Sequence, residues 1–195
     1  MACVDCTGHG VPGAFMSLLG MSLLDDIISK MNTITASEIL NILRTRMIQS
    51  LHQKTVNDEN RDGMNIAIAV QDPQARQIDY AGAYHPLYLV RDGHLIEYKP
   101  DRMSISLQCQ LDQDFQGNII QYIAGDMVYL STDGYSDQIS GETNKKMTRR
   151  KFKNLLENIA HLNVDEQKEE LSIYFERWKG IYEQIDDILV IGFRV

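Results

Sequence analysis

The sequence predicts an α+β fold, on three observations. Helix-period apolar stripes occupy residues 11–29, 35–53, 148–161 and 163–179, short apolar runs with hairpin-type turns fill the middle, and a final Ile/Val strand closes the chain. Helices before and after a block of strands bury their apolar faces most simply as a layered sandwich. With 195 residues the chain supports one sizeable core and is short for two ordinary domains, so residues 1–195 read as a single domain.

The chain opens with Met1-Ala-Cys-Val-Asp-Cys-Thr-Gly-His-Gly-Val-Pro-Gly-Ala-Phe-Met16. Cys3 and Val4 read as the end of a buried strand, with Asp5 where it runs out and Thr7, Gly8, His9 and Gly10 as the turn beyond. Glycine at 8 and 10 permits positive φ or close approach to a ligand, and Pro12 suits the first turn of a helix. That helix start brings unpaired N–H groups and partial positive charge towards Asp5, a setting that suits a metal ion and a phosphate. The helix runs from Val11 to about Ser29 and is expected to bury Phe15, Leu18, Leu19, Leu23, Ile27 and Ile28, with Met16 and Met21 as core.

Thr35-Ala-Ser-Glu38 reads as a capping box that starts a second helix ending near Gln53, followed by a polar loop from Lys54 to Asp62. Met64 to Gln71 is an apolar strand, Asp72-Pro73 turns it back to Gln77–Ala81, and His85–Val90 pairs through Arg91-Asp-Gly93 with His94–Tyr98. Ile119–Ile123 and Met127–Ser131, joined around Ala124-Gly-Asp126, are expected to form another hairpin. Phe152, Leu155, Leu156 and Ile159 mark a third helix. Asn163-Val-Asp-Glu166 caps a fourth that ends at Gly180, with Trp178 as a packing residue, before the strand Ile185–Val195.

Two later stretches repeat the pattern at Asp5. Leu130-Ser-Thr-Asp-Gly-Tyr-Ser-Asp137 sets Asp133 and Gly134 at a strand end, and Gln184-Ile-Asp-Asp-Ile188 sets Asp186 and Asp187 before a strand. Each singly could be an ordinary turn. If the strands lie side by side, the acids converge at one edge, and carboxylates that close need cations between them. Oxygen-only ligands favour Mg2+ or Mn2+ over zinc.

Asp5-Cys-Thr-Gly-His-Gly-Val-Pro-Gly-Ala14, Tyr80-Ala-Gly-Ala-Tyr-His-Pro-Leu87, Gly125-Asp126, Ser131-Thr-Asp-Gly134 and Asp186-Asp-Ile188 resemble, in order, the motifs of SpoIIE-like phosphatases, a branch of the PPM metal-dependent serine/threonine protein phosphatases. The resemblance runs from about residue 2 to the end. It implies α-β-β-α layers, here lacking the first strands and an acid often found there in a Gly-Gly-Asp context, so the chain is expected to be the C-terminal fragment of a larger sensor protein. It also implies two Mn2+ or Mg2+ ions, bridged by Asp5, with the backbone carbonyl of Cys6 a ligand to one and Asp133 and Asp186 holding the other. Asp187 ranks below Asp186 and would orient a metal-bound water. Asp137 and Asp62 are secondary candidates for an additional metal or substrate contacts. His9 either shuttles a proton or fills the turn, and His85 reads as structural. Ser104-Ile-Ser106 departs from the family's Pro-Ile-Gly-like turn.

A net charge of −8 and a pI near 5.1 argue against a nucleic acid or an anionic membrane as the main partner, while leaving room for a local basic patch. No apolar run approaches the roughly 18 residues a membrane span needs, so no membrane contact is expected from this segment. Cys3, Cys6 and Cys109 do not make a secreted disulfide framework, which favours the cytoplasm. Cys3 and Cys6 as a C-x-x-C redox couple or half a zinc site is the lesser reading. A P-loop fails because Gly8–Ala14 lacks the Gly-Lys-Ser/Thr ending.

The reading is therefore a phosphoserine/phosphothreonine protein phosphatase, the output domain behind a bacterial sensor, using metal-activated water. Family resemblance adds an anti-anti-sigma-type phosphoprotein as substrate. The alternative is a non-catalytic interaction module that keeps the fold.

Overall fold

A computed structural model describes residues 1–8, 10–30, 34–51, 63–106 and 113–195. In chain order the elements are β1 (Ala2–Cys6), α1 (Gly10–Lys30), α2 (Ala36–Ser50), β2 (Met64–Asp72), β3 (Gln77–Ala83), β4 (Leu87–Arg91), β5 (His94–Tyr98), β6 (Asn118–Gln121), β7 (Met127–Ser131), α3 (Gly134–Asp137), α4 (Arg149–Ile159), α5 (Val164–Lys179) and β8 (Val190–Arg194). Among the described residues the strands form two four-stranded antiparallel sheets, ordered β1-β2-β3-β6 and β5-β4-β7-β8. The fold is the expected mixture of helices and antiparallel sheets. The chain divides into two compact units, residues 1–86 with 99–121 and residues 87–98 with 122–195, and each carries one sheet.

In the first unit α1 and α2 cover one sheet face, where Met16, Leu24, Ile27, Leu40, Leu43 and Met47 meet Met64, Ile66 and Ile68. The start of α2 is the expected capping box: Thr35 Oγ1 accepts the Glu38 N–H, and the Glu38 carboxylate accepts the Thr35 N–H at 2.8 Å. The face of α1 differs from the expected one. Gly13, Met16, Gly20, Leu24 and Ile27 are buried, whereas Phe15, Leu18, Met21 and Ile28 are exposed. A Cβ on Gly20 would lie 2.5 Å from Met64 Cε, so Gly20 lets this face pack closely on β2, with Leu24 and Ile27 beside it.

By length and composition α1 is also apolar enough to cross a membrane, with 21 residues and a mean hydropathy of 1.4 in its best window, contrary to the expectation that no such run exists. Its Gly and Ser interruptions break the run of large side chains while lowering hydropathy little. Met16, Leu24 and Ile27 lie in the core all the same.

In the second unit β4 and β5 form the expected hairpin, with positive φ at Asp92 and Gly93 (50° and 75°) as a type I′ turn requires. Tyr88, Tyr129, Tyr135, Phe152, Leu156 and Phe175 fill its core, where the Tyr129 hydroxyl donates to Gln167 Oε1 and that of Tyr135 to the Leu171 carbonyl, each at 2.7 Å. Helix α5 starts with the expected Asn163/Glu166 capping box and stops at Gly180, φ 58°.

Two strand expectations are corrected. β6 and β7 are not a hairpin: β6 pairs with β3, and β7 lies between β4 and β8. The tight turn at Ile123–Asp126 uses the Asp126 carboxylate to accept the Ile123 N–H and the Arg91 guanidinium, which ends pairing there. The last strand spans only Val190–Arg194, because the segment before it is held by Thr132 and Gln138 rather than by a strand ladder.

Candidate metal centre

Asp5 lies in β1 opposite Asn65 of β2, on an edge strand of the first sheet. Side chains alternate along a strand, so Val4 and Cys6 face the helices while Cys3 and Asp5 take the opposite face. Beyond Cys6 the chain is pinned by the Thr7 N–H to the Gly63 carbonyl at 3.0 Å. Gly8 turns with φ 93°, and a Cβ on Gly13 would lie 2.6 Å from the Gly8 carbonyl, so the turn folds directly onto the start of α1. Ser104–Ser106 buttresses this strand end: Ile105 bridges to Met64, the two serine hydroxyls lie 2.8 Å apart, and a Cβ on Gly63 would lie 2.7 Å from Ser106 Cβ.

The two cysteines have no redox or zinc partner in each other. Residues three apart on a strand point to opposite faces, and both thiols are free. Burial, helped by the Asp5 charge, pushes the Cys3 thiol up to about 12. Burial raises the Cys6 thiol as well, against an opposing hydrogen bond with Ser17. Neither is a thiolate nucleophile near neutral pH.

In the second unit β7 delivers Asp133, half-buried, with α3 immediately after it. Its backbone carbonyl accepts the Asp137 N–H at 2.9 Å and the Ser136 hydroxyl at 3.0 Å. The Asp186–Asp187 segment lies against this strand end through Thr132. The Thr132 hydroxyl donates to the Asp187 carbonyl (3.2 Å) and accepts the Leu189 N–H (3.0 Å), and its own N–H donates to the Leu189 carbonyl (3.1 Å). A Cβ on Gly134 would lie 2.3 Å from the Asp187 carbonyl, so only glycine allows this approach. Asp186 and Asp187 are exposed, and the Asp186 carboxylate accepts the Asp187 N–H at 2.8 Å.

The structure thus brings the Asp133 strand end together with the Asp186–Asp187 segment, while Asp5 and Cys6 belong to the other unit. Asp137 carries an ion pair with Lys146 at 2.6 Å. His85 is buried, and its carbonyl accepts the Tyr80 hydroxyl at 2.8 Å, a clasp that Gly82 makes possible because any Cβ there would collide with both oxygens. His9 and Asp62 lie outside the described residues. Thr132 is the positioning residue that sequence reasoning missed; its signal was a hydroxyl directly before a strand-end Asp.

Within either unit, among the described residues, no three His, Cys, Asp or Glu side chains form a ready cluster. Asp133, Asp186 and Asp187 at the second unit's strand end nonetheless offer only oxygen donors, which fits a hard divalent ion such as Mg2+ or Mn2+.

By sequence, no curated protein matches the chain. Its fold is similar to the SiaA-PP2C domain of Pseudomonas aeruginosa, with 30% identity over 100% of this chain and 74% of that one and a TM-score of 0.86. It is also similar to the PP2C phosphatase domain, with a fragment of the regulatory domain, of the cell fate determinant SpoIIE from Bacillus subtilis. There the identity is 16% and the TM-score 0.75 over 99% of this chain, which spans about half (52%) of that one. The catalytic domain of the serine/threonine protein phosphatase PstP, solved with 2 manganese ions, shares the fold at 17% identity and a TM-score of 0.67, over 98% of this chain and 85% of that one. The family Stage II sporulation protein E (SpoIIE) matches residues 1–195, and the chain belongs to that family, with the PPM phosphatase fold.

Proposed function

We propose that this chain is a metal-dependent phosphoserine/phosphothreonine protein phosphatase and that residues 1–195 act as one phosphatase domain. The observation that carries the reading is the Thr132 clamp, which holds the Asp186–Asp187 main chain beside the Asp133 strand end. Asp5, Asp133 and Asp186 are the catalytic acids. Asp5 and the Cys6 carbonyl would hold one divalent ion, and Asp133 and Asp186 would hold another. When bound, the ions supply an acidified water for in-line attack on phosphorus and neutralise charge on the phosphoryl oxygens. Asp187 would orient that water. Thr132 and Gly134 set the spacing between the two acidic segments, and burial keeps the Cys3 thiol protonated, so it is no attacking thiolate. Mn2+ or Mg2+ is the cofactor, as the manganese in PstP suggests.

The chain would act in the cytoplasm as the output domain of a bacterial signalling protein, on a phosphoprotein of the anti-anti-sigma type. Its similarity to the SiaA and SpoIIE phosphatase domains supports the signalling role. The test is Mn2+-dependent hydrolysis of para-nitrophenyl phosphate and of a phosphoserine peptide, compared with Asp133→Asn. Because loss of even an outer-shell partner costs a metal site about 10- to 100-fold, loss of this ligand should lower the rate by about 100-fold or more. Metal-independent turnover, or an unchanged rate in Asp133→Asn, would end the proposal.

A further inference from the structure

Six of the chain's 19 Lys and Arg residues fall between Lys145 and Lys153, with no acid among them, in a chain of net charge −8. Three have partners: Lys146 pairs with Asp137 at 2.6 Å, Lys153 with Glu97 at 2.9 Å, and Lys151 Nζ lies 4.2 Å over the Trp178 ring. Lys145, Arg149 and Arg150 are exposed and make no ion pair among the described residues.

Helix α4 starts inside this run, and its start breaks every local rule that the chain's other capped helices follow. Both α2 and α5 open on a capping box with an acid in the first turn. In contrast, α4 opens on Thr148 at φ 76°, with no side-chain cap and with Arg149, Arg150 and Lys151 in the turn where the helix dipole disfavours cations. Such a β-branched residue at positive φ is strained. Alongside, Ser140, Glu142 and Thr143 and the α5 residues Tyr174, Arg177 and Trp178 line a cleft of about 220 Å³, with Glu142 its one acid and the Tyr174 and Trp178 rings parallel at 6.4 Å.

We infer that the start of α4, together with this cleft, is a docking surface for a carboxylate-rich segment of a protein partner. Charge complementarity selects that occupant. Carboxylates would pair with Lys145, Arg149 and Arg150 and would also supply the negative charge that the helix start lacks. A long nucleic acid is disfavoured, because the rest of the chain is still more acidic than its net charge and Lys151 already covers the Trp178 face on which a base would stack. An anionic bilayer is disfavoured because the outward residues of the first turn are all cationic, with no apolar side chain to insert. The surface is independent of the phosphatase reading, since docking needs neither metal nor turnover.

The test is fluorescence anisotropy with the full chain and a labelled peptide of Glu, Asp, Ser and Gly, set against the same peptide with Gln and Asn. The acidic peptide should bind and the neutral one should not, and affinity should fall between about 0.05 and 0.3 M salt as screening shortens. Charge reversal by Lys145→Glu, Arg149→Glu and Arg150→Glu should weaken binding by about tenfold or more. Reversal of the exposed Arg76, Lys99 and Lys168 elsewhere should change it less than about twofold. The first variant should melt no lower than the parent, because acids at a helix start match its dipole, so lost binding would not reflect misfolding. Equal binding by that variant, equal binding of the neutral peptide, no binding at low salt, or tighter binding of single-stranded DNA or phosphatidylserine vesicles would each overturn the assignment.

Discussion

Asp126 shows how a residue in a family motif can serve structure rather than chemistry. It is buried, and its carboxylate accepts both Nε and Nη2 of Arg91 and the Ile123 N–H at 2.9 Å. Burial alone would raise its pKa, but these hydrogen bonds outweigh burial and hold the carboxyl below the usual carboxylate range. The stability this contributes is present above the unfolded value of about 3.9 and is lost as pH falls through the lower folded value. Asp126→Asn should cost about 2 kcal/mol at neutral pH, less than for a fully buried pair because Arg91 is 32% exposed. Urea unfolding at pH 7 and near pH 3 checks this: the gap between variant and parent should close in acid, and a gap that stays constant would assign the effect to packing. The Gly125-Asp126 motif was legible in the sequence, but its role was not, because Arg91 lies 35 residues away and on another strand.

At the scale of elements, two kinds of contact set the geometry of the acidic segments. Helix ends follow local chemistry, so the boxes at Thr35 and Asn163 could be read directly from spacing. The approach of α3 to the segment before β8 follows from a missing side chain. Gly134→Ala would drive its Cβ against the Asp187 carbonyl and push the Asp186–Asp187 segment away from β7. We expect this substitution to lower Mn2+-dependent hydrolysis by about tenfold or more, as displacement of ligand-positioning groups does, while hydrolysis with excess metal partly recovers. A proportional loss of activity and of thermal stability, with no recovery, would point to a general folding defect. The exposed Phe15, Leu18, Met21 and Ile28 of α1 were misread because apolar periodicity reports that a helix has an apolar face, and Gly13 and Gly20 sit on the other one.

For the whole molecule, the proposed metals link stability to cation concentration. A divalent ion that binds only the folded chain stabilises it by about 2.7 kcal/mol at a hundredfold excess over its Kd. Addition of Mn2+ after EDTA treatment should therefore raise Tm by several degrees and restore hydrolysis, and Asp133→Asn should show neither response. A Tm that ignores Mn2+ would sink the metal assignment independently of any substrate. The sequence by itself determined which strand ends carry Asp and Gly, where α2 and α5 start, and which family the motifs belong to. These features are local, written in residues a few positions apart. Only the tertiary structure decided that β6 and β7 join different sheets, that α1 buries the face of Gly13, Met16, Gly20 and Leu24, and that Thr132 binds the Asp186–Asp187 segment. Strand pairing and close packing depend on partners tens of residues away, and no spacing within one stretch of sequence encodes them.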